Sequence, residues 1–107
     1  PLKQMKRRVG EIVNYFNLQN IINNDIQSLS GGEKQKIAFL RAFIKKSSII
    51  ILDEMFSNCD EESRRKIRKI VFDPELRETV ILISHYKEDI SEVDAVYELK
   101  NGVLSKK

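Results

Sequence analysis

Three short stretches of the chain carry residue types suited to handling phosphates. The first is Leu29-Ser30-Gly31-Gly32-Glu33, immediately before an apolar-periodic segment. Two glycines let a backbone approach a ligand closely and Ser30 adds a hydroxyl. The free N–H groups and positive dipole end of a helix beginning there favour an anion. Ser-Gly-Gly-Glu also suits an ordinary N-cap with an acidic first turn. The second stretch is Ile49-Ile50-Ile51-Leu52-Asp53-Glu54, a hydrophobic run ending in adjacent carboxylates. In a parallel sheet, ligands bind at the carboxyl ends of the strands. Asp53 at such an edge can hold a hydrated Mg²⁺, which takes oxygen ligands and keeps waters. Glu54 can orient a water in line with a terminal phosphate or accept its proton. The third is His85, directly after Val80-Ile81-Leu82-Ile83-Ser84. If the two apolar runs are parallel strands, His85 shares the edge of Asp53 and Glu54. It can then donate a hydrogen bond to a phosphate oxygen or hold the attacking water.

These stretches need a scaffold, and the hydrophobic pattern supplies one. Met5, Val9, Ile12, Val13 and Phe16 fall on one face of a helix from about Lys3 to Phe16. A second helix is expected from Ser30 to about Lys46, buried on most sides from Ile37 to Ile44, with Lys45-Lys46 opposing the dipole at its end. Ile49 to Leu52 reads as a strand buried on both faces of a parallel sheet. Asp60 caps a predicted helix from Glu61 to Phe72 with Ile67, Ile70 and Val71 inward, and Asp73-Pro74 ends it. Thr79 to Ser84 reads as a second buried strand, followed by a short helical stretch near Lys87 to Ile90. Ala95–Leu99 and Val103–Ser105 flank Asn101-Gly102, a strong hairpin signal. Helices first and then strand–helix–strand predict an α/β protein with a helical appendage.

Composition narrows the classes. The chain has 107 residues, 41% hydrophobic and 33% charged, which allows a packed core and argues against wholesale disorder. No apolar run approaches the roughly 20 residues that span a bilayer, and no N-terminal signal pattern is present. The single cysteine, Cys59, excludes an internal disulfide framework and is expected to act as a small apolar filler. Residues 1–48 carry nine Lys/Arg against three Asp/Glu, whereas residues 49–107 carry ten against thirteen. The basic half suits phosphates, acidic lipid headgroups or an acidic partner, or simply a solvated helix surface.

In this order, the three stretches resemble the nucleotide-binding domain of the ATP-binding cassette (ABC) ATPases. Leu29 to Glu33 looks like the signature motif, with Glu33 where many members carry Gln, and Lys34 to Ala42 like the helix that continues it. Ile49 to Asp53 resembles Walker B, Glu54 the catalytic glutamate, Ser57-Asn58-Cys59-Asp60 the D-loop and His85 the switch histidine. The interval from Gly32 to Asp53 is the one usual in transporter members, and the likeness runs from about Leu18 to Gly102. Met55-Phe56 and Cys59 depart from the family's frequent residues beside the catalytic pair.

The resemblance implies a partial P-loop NTPase (RecA-like) core with a helical subdomain. Residues 1–48 would be part of the helical, signature-bearing subdomain and 49–107 the C-terminal half of the core. It implies an ATP hydrolase with ATP and Mg²⁺ as cofactors: Glu54 and His85 catalytic, and Asp53 holding Mg²⁺ through water. Ser30, Gly31, Gly32 and Glu33 would bind the ATP of a partner subunit in trans, with Asp60 in the D-loop. The implied partners are a second nucleotide-binding domain, paired head to tail, and a membrane-spanning transporter subunit or domain, with no direct nucleic-acid contact. The implied location is the cytoplasm, peripheral to the inner face of the cell membrane.

No Gly-x-x-x-x-Gly-Lys-Ser/Thr occurs among the four glycines, so the phosphate cradle is missing from this sequence. The expectation is a C-terminal fragment of such a domain, inactive alone and with uncovered sheet surface. The competing readings are a DNA-maintenance ATPase of the same superfamily and a non-enzymatic fragment that dimerises through its open sheet edge.

Overall fold

The computed structural model describes residues 2–45, 47–57 and 59–107. Helix α1 spans Leu2–Tyr15, α2 Gly31–Ile44, α3 Glu61–Val71 and the single-turn α4 Lys87–Ile90. Strands β1 (Ile49–Asp53) and β2 (Thr79–Ile83) pair in parallel, with Ile51 opposite Ile81 and Asp53 opposite Ile83. Strands β3 (Tyr97–Lys100) and β4 (Val103–Lys106) form a separate antiparallel hairpin. Its turn residues Asn101 and Gly102 have φ of 51° and 76°. Those are the left-handed values a tight hairpin demands and that Asn-Gly supplies cheaply.

The helix ends are set by local chemistry. Asn17 takes a φ of 55° just past α1; its N–H donates to Asn14 O, while Leu18 N–H donates to Val13 O. Together these close the last turn and drive Leu18 into the core. Between α1 and α2 a short 3-10 turn, Ile26–Ser28, is capped by Asp25. Helix α2 stops at Ile44, with Lys45 already extended (ψ 122°) and Arg41 as the basic residue of the last turn. It therefore ends short of the expected Lys46, which lies outside the described residues. Helix α3 ends at Val71, and Phe72 N–H caps it by donating to Arg68 O.

The core lies where α1, α2 and α3 meet one face of β1. It contains Phe16, Leu18, Phe39, Leu40, Phe43, Ile50, Leu52, Phe56, Ile67 and Val71. Phe39 stands at its centre, edge-on to Phe16 (5.7 Å between centroids) and against Phe43 (4.5 Å). Lys66 Nζ donates to Tyr15 O at 2.8 Å, tying α3 to the end of α1. At the other end of α1, Met5, expected inward, is half exposed because the helix overhangs the core.

The strands correct one expectation. Ile50 and Leu52 are buried, but Ile49 and Ile51 are 57% and 63% exposed; Ile81 and Ile83 share that open face. A continuous β-branched run signals a strand meant for cover on two sides. Among the described residues only one side is covered, because side chains alternate across a strand and the helices pack on a single face.

Candidate functional site

Parallel pairing brings the ends of β1 and β2 to one edge. Beyond the last register pair, Glu54 N–H donates to Ile83 O at 2.9 Å and prolongs the ladder by one bond. The backbone then turns sharply, with Glu54 at φ 49°. A side-chain-bearing residue pays roughly 1–2 kcal/mol for that conformation. Ser57 offsets it, since both its N–H (3.1 Å) and its Oγ (2.9 Å) donate to Glu54 O. Glu54 is thus fixed from both sides of its peptide, while its side chain stays partly exposed. His85, two positions past β2, meets it: Nε2 lies 2.6 Å from Glu54 Oε1. Glu54, Phe56, Ser57, Ser84, His85 and Tyr86 line a cleft of about 100 Å³ at this edge. Asp53 stands exposed at the end of β1. Among the described residues no cluster of three or more His, Cys, Asp or Glu is placed to grip a metal ion.

The start of α2 is built differently. Ser30 Oγ accepts from Glu33 N–H (3.1 Å), and Glu33 Oε1 accepts from Ser30 N–H (2.9 Å). This reciprocal pair satisfies two of the helix's free donors from within the motif. Gly31 is exposed and helical, and a Cβ there would meet nothing within 4 Å. Neither backbone conformation nor internal packing requires a glycine at that position. Ser30, Gly31, Gly32 and Glu33 do not line the Glu54–His85 cleft.

Asp60 caps α3, accepting from Ser63 N–H at 3.2 Å. Hydrogen bonding from Ser63 holds its carboxyl below the ordinary value. The neighbouring Cys59 is half-buried against the core, and its Sγ donates to Met55 O at 3.3 Å. Burial, reinforced by the Asp60 charge, pushes the thiol up, as befits an inert filler. Asn58 of the same stretch lies outside the described residues.

One part of this region was not foreseen. Asp89 in α4 is fully buried, where Ser84 Oγ and Arg68 Nη1 both donate to its carboxylate. From sequence, Lys87 to Ile90 reads only as a short helical stretch, with nothing to mark Asp89. Only the docking of α3 on this turn singles out the middle of three neighbouring acids, Glu88, Asp89 and Glu92.

Comparison with known proteins agrees with this architecture. The sequence profile of the family described as "ABC transporter" matches residues 3–57, just over half of the chain. The chain is 33% identical over 105 residues to the glucose import ATP-binding protein GlcV of Saccharolobus solfataricus, covering 95% of this chain and 30% of that protein. It is 37% identical to the energy-coupling factor transporter ATP-binding protein EcfA1 of Streptococcus mutans (97% and 38%). It is 30% identical to the lipoprotein-releasing system ATP-binding protein LolD of Buchnera aphidicola (96% and 46%). The chain therefore spans less than half the length of these relatives. A solved SMC ATPase shares the fold at a TM-score of 0.56 and 17% identity, over 79% of this chain and 58% of that one. The structure is thus part of a P-loop NTPase core with attached helices, and the chain belongs to the ABC transporter family.

Proposed function

We propose that these residues form the hydrolytic edge and the partner-facing helix of an ATPase that couples ATP binding and hydrolysis to transport across a membrane. The observation that carries this reading is the Glu54–His85 contact of 2.6 Å at the carboxyl edge of the parallel pair. Glu54 accepts a proton from the water that attacks the terminal phosphorus. A P–O bond forms to that water, and the bond to the bridging oxygen of the departing diphosphate breaks. His85, donating from Nε2, holds the Glu54 carboxylate in place. Asp53 presents a hard oxygen ligand that suits Mg²⁺ through water. Bound there, the ion would neutralise phosphate charge.

Ser30, Gly31, Gly32 and Glu33 serve a second nucleotide-binding domain in a head-to-tail pair, facing the ATP held by that partner. The open space at Gly31 and the separation of this helix end from the cleft support that role. Asp60 serves as part of the D-loop. Residues 1–48 act as part of the signature-bearing subdomain and 49–107 as the second half of the core. The phosphate-cradling loop, absent from these 107 residues, is supplied by another segment. The exposed apolar face of Ile49, Ile51, Ile81 and Ile83 fits cover from the same source. No helix among the described residues is long and apolar enough to cross a membrane. In this reading, transport runs through a membrane-spanning subunit or domain, with the ATPase at the inner face of the membrane. The DNA-maintenance alternative has only the shared fold behind it.

Glu54→Gln in the full-length protein is the test. Nucleotide binding is kept and steady-state hydrolysis falls by about 10²–10⁴-fold, because the amide keeps the shape but accepts no proton. Turnover near wild type would remove Glu54 from the base role. By itself the 107-residue chain binds Mg-ATP no tighter than millimolar by calorimetry, since the backbone cradle and lysine of a P-loop are missing.

A further inference from the structure

His85 reaches Glu54 from a turn with almost no secondary structure of its own, yet that turn is closely held. Tyr86 N–H donates to Ser84 Oγ at 3.1 Å, so one side-chain oxygen spans His85. Ser84 Oγ in turn donates to Asp89 Oδ2, and Asp89 N–H donates back to Tyr86 O at 3.1 Å. Asp89 is the one charged side chain among the described residues that is fully buried, at 1% exposure. A buried carboxylate is costly unless paired and hydrogen-bonded. Arg68 of α3 meets that need with Nη1, while its Nη2 donates to Glu88 O at 3.0 Å. Arg64, one helical turn earlier, lays its guanidinium over the Tyr86 ring at 4.2 Å. The turn carrying His85 is therefore clamped to α3 through Asp89.

We propose that Asp89 is a positioning residue for His85: through the Ser84 hydroxyl it fixes the turn from which His85 meets Glu54, and Arg68 anchors it to α3. The proposal rests on the reading of Glu54 and His85 as the hydrolytic pair. Asp89 does not touch the nucleotide. It acts by holding the histidine within hydrogen-bond reach, where a displacement of about 1 Å can cost 10²-fold in rate.

The test uses the full-length protein assembled with its partner, measuring kcat, KM for ATP and thermal midpoint. Ser84→Ala and Asp89→Asn each lower kcat on the order of 10-fold with KM unchanged, while Ser84→Thr, which keeps the hydroxyl, restores it. Adding either substitution to His85→Ala costs nothing further, because the histidine they position is already gone. Should Asp89→Asn fail to fold, the Ser84 pair decides alone. Wild-type kcat in Ser84→Ala, alongside a collapsed kcat in His85→Ala, would overturn the proposal. So would losses that multiply with His85→Ala, as a merely structural role predicts. If His85→Ala and Glu54→Gln both turn over normally, the hydrolytic reading itself fails and takes this inference with it.

Discussion

The two ends of this chain proposed to face phosphate are built in opposite ways. The start of α2 is self-contained: Ser30 and Glu33 satisfy each other across one turn, and Gly31 leaves open space. The β1–β2 edge is assembled from segments far apart in sequence. Glu54 depends on Ile83 and Ser57 for its backbone and on His85 for its side chain, and His85 depends on a turn clamped to α3. A self-contained motif can be presented to a partner without distortion. An assembled edge answers to the packing of the whole core, so its geometry can change when that packing does. The first suits a docking surface and the second suits chemistry.

Core damage should separate the two most strongly. Leu52 is fully buried in β1, immediately before Asp53-Glu54. Leu52→Ala should cost about 2–5 kcal/mol in denaturant unfolding. In the folded fraction, the first turn of α2 should keep its hydrogen-exchange protection while the Glu54–Ile83 bond loses its own. Equal loss at both ends would erase the distinction. Gly31→Asp attacks the opposite end. It places a carboxylate where a partner's terminal phosphate is expected, so ATP-driven pairing of the full-length protein should disappear while ATP binding to each subunit remains. Loss of both would mean that the signature helix serves its own subunit's nucleotide.

The same divide governs what could be read from the residues alone. The capping box, Asp60 at the start of α3 and the Asn101-Gly102 turn depend on neighbours a few positions away, and their residue types announce them. The shared edge of Glu54 and His85 followed from one further inference, that two β-branched runs separated by a helix pair in parallel. The uncovered face of Ile49 and Ile51 was expected from the absence of a phosphate cradle, although the apolar run by itself records only the cover a strand is built for. Asp89 escaped, because its burial depends on where Arg68 lands, and nothing in a Lys-Glu-Asp run separates one acid from its neighbours.

A smaller effect tests whether the α2 end is as self-contained as its hydrogen bonds imply. Ser30→Ala removes the acceptor for Glu33 N–H and should cost about 1 kcal/mol of stability. Glu33→Gln keeps both bonds of the reciprocal pair and should stay within about 0.5 kcal/mol of wild type. Neither should alter the Glu54–His85 contact, which can be followed by the His85 ring resonances. A shifted His85 signal in Ser30→Ala would show that the two ends communicate.

The smallest effect is a pH dependence at Asp60, which lies between Glu54 and His85 in the chain. Its carboxyl sits below the ordinary value of 3.8 because the folded state supplies hydrogen bonds from Ser63 that favour the charged form. A carboxyl depressed on folding binds its proton more readily in the unfolded chain. The stabilisation it gives is therefore complete above the unfolded value and is lost as pH falls through the folded one. Asn caps a helix about as well as Asp but does not titrate in this range. Above about pH 5 the difference in unfolding free energy between wild type and Asp60→Asn should be flat; between about pH 5 and pH 2 it should move in favour of the variant. The cap is exposed and bonded only within its own first turn, so the Glu54–His85 contact should not change when Asp60 is replaced. A difference that stays flat down to pH 2 would mean that Ser63 does not bond the charged carboxylate in solution, and that α3 starts without its cap.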